Sequence, residues 1–396
     1  MLYSKTGSLK TQLNPDRRIL VFIDWYLPGY KAGGPIQSTA NMIAHLRNDF
    51  NFGVVTGDAD LNETIPYKGI KIDNWNRHPN GTMVYYIGRA SKNYRTIRSI
   101  LAREKFDILY LNSFFSVYFT LLPLIAIKLN GIRCRVIVAP RGMMGKGSLG
   151  IKPFKKKLFI SLAKATGLFR DVFWHASTPG EMDEIRNVFG HGVQIRNAIN
   201  LTSPRFIVRE KKIKETGTAQ FFSLARISPV KNILAIFRYL AKVDPDLKIS
   251  VHLYGTMEDS VYISKCIEVA KTFPSNVSAE FLGPIENSLV QEMCRKYQFM
   301  ILPTQNENFG HAIVESFIAG CPVLISNRTP WKDLEKQKAG WDLPLENDSL
   351  FIEKINLCGR MDQNEYDQWC EGAYSLGEKI VKNDEGIEQN KQLFLS

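Results

Sequence analysis

Continuous apolar runs and amphipathic stretches take turns along this chain. Arg17-Arg-Ile-Leu-Val-Phe-Ile23 is apolar without alternation, the pattern of a strand covered on both faces in a parallel sheet. Runs of the same kind predict strands at Phe52–Val55, Met83–Ile87, Ile108–Leu111, Val136–Ala139 and Val172–Ala176, with a last short one at Val193–Ile195. Between most of them, apolar residues at helical spacing predict helices at 36–46, 94–103, 117–128 and 180–189. This order predicts a doubly wound α/β sheet.

The pattern breaks from Leu201 to Gly217, a charged segment with Pro204 and Arg209-Glu-Lys-Lys, which has the character of an interdomain linker. It then restarts with strands at 220–224, 249–254 and 278–282 and helices at 231–241, 259–272 and 287–297. A buried strand Phe299–Leu302, a polar turn, a short helix and an apolar strand from Pro322 to Ser326 follow. The end of the chain, Gln363 to Leu395, reads as polar helix. At 396 residues the chain exceeds one ordinary core, so two domains are expected. Two such halves leave a cleft lined by the carboxyl ends of their strands.

Composition is that of an ordinary globular protein and adds little. The formal charge of +12 implies attraction to nucleic acid, phospholipid or phosphorylated metabolites. The six cysteines form no CxxC pair and no metal-like spacing with histidine, so they read as buried thiols of a reducing compartment. Met1 to Asp16 has no apolar core of the kind a signal peptide needs. Phe114 to Leu129 falls short of the ~20 residues of a spanning helix and reads as a buried crossover. The expected location is cytoplasmic.

One basic stretch, Lys152 to Lys164, interleaves lysines with Phe154, Leu158, Ile160 and Leu162. Two readings stand level. It is a helix lying on an anionic membrane, which would make the protein peripheral on the inner face of the plasma membrane. Or it is a domain helix with one packed side and solvated lysines. Nucleic acid is a poorer partner, because no aromatic platform or known module accompanies the charge.

The chemistry-bearing residues lie in the second half. Arg226 and Lys231 follow its first strand, where open α/β sheets bind ligands. A forked donor and a point charge there suit a diphosphate, against a reading as two solvated cations. Glu307, Asn308 and Gly310 lead into the short helix, whose apolar stripe is Ile313, Val314, Phe317 and Ile318. Glu315 points away from that stripe, toward bulk water or a cleft. Glycine at a helix start lets an anion approach the free amides. Glu307 and Glu315 make a weak acid/base pair against a reading as a cap and a surface residue. His311 reads as a first-turn residue exposing its amide, and His175 as a packed strand residue. No GxxxxGK[ST] or GxGxxG follows a strand, which argues against an ATPase and an NAD enzyme.

These residues together resemble the retaining glycosyltransferases of family 4, in the branch that assembles bacterial polysaccharides. The resemblance rests on Ala225-Arg-Ile-Ser-Pro-Val-Lys-Asn232, Phe281-Leu-Gly-Pro-Ile285, Leu302-Pro-Thr304, Glu307-Asn-Phe-Gly-His-Ala-Ile-Val-Glu315, Ala319-Gly-Cys-Pro-Val323 and Thr329-Pro-Trp331. In the first half, Gly33-Gly34, Ala139-Pro-Arg-Gly-Met143 and His175-Ala-Ser-Thr178 extend it, from Arg18 to about Trp341. It implies the GT-B architecture: two Rossmann-like domains face across a cleft, with a C-terminal helix returning to the first. The expected extents are 1–203 for an acceptor-binding domain, 204–217 for the linker, 218–375 for a donor-binding domain and 376–396 for the returning helix.

It also implies a hexosyltransferase that uses a nucleotide diphosphate-sugar and a lipid-linked or oligosaccharide acceptor, as in O-antigen (lipopolysaccharide), capsule or exopolysaccharide synthesis. By resemblance, Arg226 and Lys231 hold the diphosphate, Glu315 the ribose and Glu307 the transferred sugar. Asn308 and the amides of Phe309, Gly310 and His311 meet donor oxygens, and Pro284 and Ile285 lie near the base. Gly33 and Gly34 approach the phosphates from the other domain. No cofactor or bound metal is implied. Many relatives place histidine where Arg141 stands, so Arg141 takes acceptor-phosphate or donor contacts or leaves that role vacant. Asn197 occupies the usual asparagine before the linker, followed by Ala198 rather than glycine.

Overall fold

The computed structural model describes residues 17–150, 153–204 and 208–395. Met1 to Asp16, Lys152 and the linker residues 205–207 lie outside the described residues. The first sheet contains β1 (Arg18–Phe22), β2 (Asn51–Gly57), β3 (Trp75–Arg77), β4 (Met83–Ile87), β5 (Ile108–Leu111), β6 (Arg135–Val138), β7 (Phe173–Ala176) and β8 (Ile195–Asn197). Their order is β3-β4-β2-β1-β5-β6-β7-β8, parallel throughout except for β3 against β4. β3 was not legible in advance, because Trp-Asn-Arg is too short and polar to show a period.

Continuous apolar strands arise because both faces are covered. Along β1, Ile19 and Val21 face a core with Met42 and Leu46 of α1 (Gly34–Leu46). Leu20 and Phe22 face the opposite core. That second core is built from α2 (Tyr94–Arg103), α3 (Leu122–Asn130), α5 (Pro153–Ala165) and α6 (Pro179–Phe189), with the short α4 (Lys146–Gly150) ahead of α5. The predicted 117–128 helix opens instead with a wide turn, Val117–Leu121, where the Leu122 amide reaches back to the Val117 carbonyl. Pro123 lies just beyond it and has no N–H to donate.

The second sheet contains β9 (Thr218–Leu224), β10 (Lys248–Tyr254), β11 (Val277–Gly283), β12 (Phe299–Leu302), β13 (Val323–Ser326) and β14 (Gly340–Leu343), ordered β11-β10-β9-β12-β13-β14 and all parallel. One face packs on α7 (Ile233–Leu240), α8 (Ser260–Ala270) and α11 (Asp348–Arg360); the other packs on α9 (Asn287–Lys296) and α10 (His311–Ile318). α12 (Gln363–Val381) contributes to both cores of this domain.

The end of the chain differs from a single returning helix starting at 376. α12 runs through that point to Val381, and the chain turns at Lys382–Asn383 into α13 (Asp384–Leu395). α13 lies on the first domain. Phe394 meets the rings of Phe50, Phe52 and Tyr110 at 5.5–5.8 Å, Asn390 donates to the Ile199 carbonyl at 2.8 Å, and Lys391 pairs with Asp49 at 3.0 Å.

Candidate functional site

The loops at the carboxyl ends of the two sheets meet across the cleft. From the second domain comes the turn between β12 and α10. Gly310 takes φ +80° as the helix cap, and a Cβ there would lie 2.8 Å from Ile313 and 3.2 Å from Glu307. Only glycine fits, and the amides that start α10 stay open to a ligand. His311 and Glu315 are one turn apart on the same face of α10, opposite the buried Ile313, Val314, Phe317 and Ile318.

Lys231 arrives from a tight turn, Pro229–Lys231, that follows β9. Its Nζ lies 2.5 Å from Glu307 Oε2. Burial alone would raise the Glu307 carboxyl. The Lys231 ammonium, its hydrogen bond and the Phe309 amide outweigh that and hold it below its ordinary value. Arg226 is exposed at the end of β9 and, among the described residues, has no polar partner. Pro284 is exposed and Ile285 half-buried just past β11.

Glu315 does not meet bulk water. Its Oε2 is enclosed and unpaired. Burial pushes its carboxyl up to about 7, against a hydrogen bond from Gln291. A buried oxygen without a donor is costly. His311 sits at the domain boundary. Burial pushes it down to about 4, with Arg141 adding and Glu307 opposing, so it is neutral at pH 7.

The first domain closes on this cluster at two places. His311 Nε2 lies 2.9 Å from Ser38 Oγ on α1, and a Cβ on Gly34 would sit 3.9 Å from the same ring. Gly33 caps α1 at φ +68°. The second contact is tighter. Gly142 has φ +73°, and a Cβ on it would lie 2.3 Å from Asn308 Nδ2. The Gly142 amide donates to buried Glu181 at 2.6 Å, which fixes the loop that bears on the turn between β12 and α10.

Arg141 belongs to a first-domain network rather than standing free for ligand. It donates to Asn112 and to Tyr110 at 2.7 Å each, and to Asn200. A guanidinium only donates, so the Tyr110 oxygen accepts from it and its hydroxyl donates a hydrogen bond to His175 Nδ1 at 2.7 Å. His175 Nε2–H then donates to the Ala198 carbonyl at 2.8 Å. Burial, reinforced by the Arg141 charge, holds His175 down to about 3 and therefore neutral. Asn197 ends β8, opposite Ala176, with its Oδ1 buried and unpaired.

The structure thus brings Lys231, Glu307, Asn308, Phe309, Gly310, His311 and Glu315 around one turn, with Gly34, Ser38 and Gly142 across from it. Ser38, Asn112, Glu181 and Asn200 were missed, since each gains its role from a residue distant in sequence. Trp331 was noted only as part of a motif. Its Nε1 donates to the Phe309 carbonyl at 2.6 Å and braces the turn between β12 and α10. A cavity of about 300 Å³ lies beside that turn, lined by both domains and the α12–α13 junction, including Thr178, Asn200, Phe309, Trp331 and Ile387.

Residues 205–375 match the family model described as glycosyl transferases group 1. Two glycogen synthases from strains of Mycobacterium tuberculosis are 25 % identical over 152 residues, 37 % of this chain and 35 % of theirs. The matched stretch therefore spans about a third of those curated relatives. Anabaena HepE, solved in complex with UDP and glucose, superposes with a TM-score of 0.69 at 14 % identity, over 95 % of this chain and 98 % of its own. Sucrose-phosphate synthase from Thermosynechococcus elongatus gives 0.71 at 13 % identity, over 96 % and 98 %. A glycosyltransferase from Rickettsia africae gives 0.64 at 11 % identity, over 96 % and 98 %. The architecture is GT-B, two doubly wound α/β domains across a cleft.

Proposed function

We propose that this chain is a retaining glycosyltransferase that moves a hexose from a nucleotide diphosphate-sugar to a surface polysaccharide or lipid-linked oligosaccharide. The observation that carries the donor half of this reading is the Lys231–Glu307 pair beside the free amides of α10, with the unpaired Glu315 one turn on. The match of residues 205–375 to the glycosyl transferases group 1 supports it.

In this mechanism the diphosphate draws Lys231 from Glu307 and gains Arg226 as a second cation. Negative charge builds on the leaving nucleotide as the glycosidic bond breaks, and the two cations with the α10 amides stabilise it. No divalent ion is required for that task. Glu307, released from Lys231, binds hydroxyls of the transferred sugar, and Glu315 binds those of the ribose. The acceptor hydroxyl attacks from the face that the leaving group vacates, and its proton passes to the departing phosphate. No covalent enzyme intermediate is formed. Closure through Ser38–His311 and Gly142–Asn308 excludes water, which would otherwise compete with the acceptor. Gly33 and Gly34 approach the phosphates, and Pro284 and Ile285 border the base.

A thermal-shift screen with UDP-, GDP- and ADP-sugars tests the donor first, since a bound donor stabilises by mass action. UDP leads the list because the Anabaena HepE structure holds it. Product analysis with and without acceptor then decides the reaction. Interconversion of the donor alone would replace transfer with nucleotide-sugar epimerisation, and binding without turnover would leave a non-catalytic sugar-binding protein.

A further inference from the structure

Eleven lysines and arginines fall in the 63 residues from Ile108 to Arg170, and no aspartate or glutamate does. That span alone carries nearly the whole formal charge of +12. Arg135 and Arg141 are spent inside the first domain. α5 carries others at the surface, where Lys155, Lys157 and Lys164 are exposed.

α5 has two apolar faces. The inner one, Phe159, Ile160 and Ala163, packs on the first-domain core, with Phe159 5.3 Å from both Phe114 and Phe115. Lys156 is also turned inward, donating to the Ser148 carbonyl at 2.7 Å and lying over the Phe115 ring. The outer face is the stripe Phe154, Leu158 and Leu162, exposed by 80 %, 53 % and 57 %. Residues four apart stack on one side of a helix. The domain therefore consumes one apolar face of α5 and leaves the other in water, between lysines.

We propose that α5 docks the first domain on an anionic lipid bilayer. Phe154, Leu158 and Leu162 enter the boundary of the acyl chains, and Lys155, Lys157 and Lys164 reach lipid phosphates beside them. No helix among the described residues is long and apolar enough to cross a membrane, and α5, at 13 residues, lies along the surface. A second copy of the chain is a poorer cover, because it would set two basic patches against each other. Gly142, at the cleft, precedes Pro153 by only eleven residues. On the transfer reading, docking of the first domain on the bilayer favours an acceptor carried on a lipid. That last step rests on the transfer reading; the docking does not.

The test is co-sedimentation of the full chain with phosphatidylcholine vesicles, with and without phosphatidylglycerol. Binding is expected only with the anionic lipid, weakening as salt rises. The Phe154→Ser/Leu158→Ser/Leu162→Ser variant should lose about tenfold or more of that binding. Lys155→Gln/Lys157→Gln/Lys164→Gln should lose the preference for anionic lipid. Both should keep their circular dichroism and UDP binding, because they change exposed side chains remote from the donor turn in sequence. Wild-type protein that ignores anionic vesicles overturns the proposal, as does a serine variant that binds like wild type. So does self-association that the serine variant abolishes in the absence of vesicle binding. Docking without sugar transfer would count against the proposed function and leave the membrane surface standing.

Discussion

Lys231 and Glu307 neutralise each other with under a fifth of either side chain exposed. Replacing one with alanine leaves the other charge largely buried and unpaired, a loss of up to about 3 kcal/mol. Lys231→Ala and Glu307→Ala should each cut transfer by about a hundredfold or more while the protein still folds. The double variant should be less destabilised than the two losses added. Urea unfolding beside a turnover assay measures both, and wild-type turnover in either single variant would remove these residues from the mechanism. Glu315 makes a second prediction, on pH. Its carboxyl is pushed up to about 7 by burial, above the ordinary carboxyl value of 4.5 that it has in the unfolded chain. Its stabilisation of the fold is therefore full below 4.5 and fades as pH rises to about 7. Ligand hydroxyls favour the ionised form, so the sign reverses for binding: UDP affinity should strengthen as pH rises through about 7. Calorimetry with Glu315→Gln, compared over the same range, separates this from the titration of UDP itself. An identical pH slope in the variant would exclude Glu315.

At the scale of elements, the short helix α10 presents its first amides and Glu315, and in the proposed mechanism the loop after β6 is a stop for closure. Gly142 combines a left-handed φ with a neighbour, Asn308, that fills the space of a side chain. Gly142→Ala should cost about 1–2 kcal/mol in backbone strain and push the Asn308 side chain out of its place at the domain contact. If the proposed function holds, transfer should fall while UDP affinity stays near wild type. Asn308→Gly in the same chain should restore part of the turnover by removing the clashing amide. If Gly142→Ala turns over like wild type, the contact is incidental to closure. α10 was legible in the sequence because its pattern is local: an apolar stripe on one face and a glycine at the cap. The conformation of Arg141-Gly142 was not, because it depends on Glu181 and Asn308, brought there by other elements.

At the scale of the molecule, the chain crosses between domains twice, at the linker and at the α12–α13 junction. α13 is held to the first sheet by Phe394, fully buried among Phe50, Phe52 and Tyr110. Phe394→Ala should cost about 3–5 kcal/mol, felt in the first domain rather than the second. In calorimetry the first domain should unfold earlier and apart from its partner. A single transition at the wild-type temperature would show that α13 contributes little.

Local periodicity settled the architecture. Apolar runs alternating with helical stripes specify two doubly wound sheets, and the strand ends of such sheets are where Arg226, Lys231, Glu307 and Glu315 had to lie. These are properties of neighbours in sequence, so the chain states them directly. Tertiary structure alone decided which groups meet. Ser38 reaches His311 and Gly142 reaches Asn308 only because two domains set their strand ends face to face. The charge of Arg141 is committed because Tyr110, Asn112 and Asn200 surround it. The basic stretch left two readings level because a helix's residues do not say which side its domain will cover. Packing took Phe159, Ile160 and Ala163 and left Phe154, Leu158 and Leu162 outside.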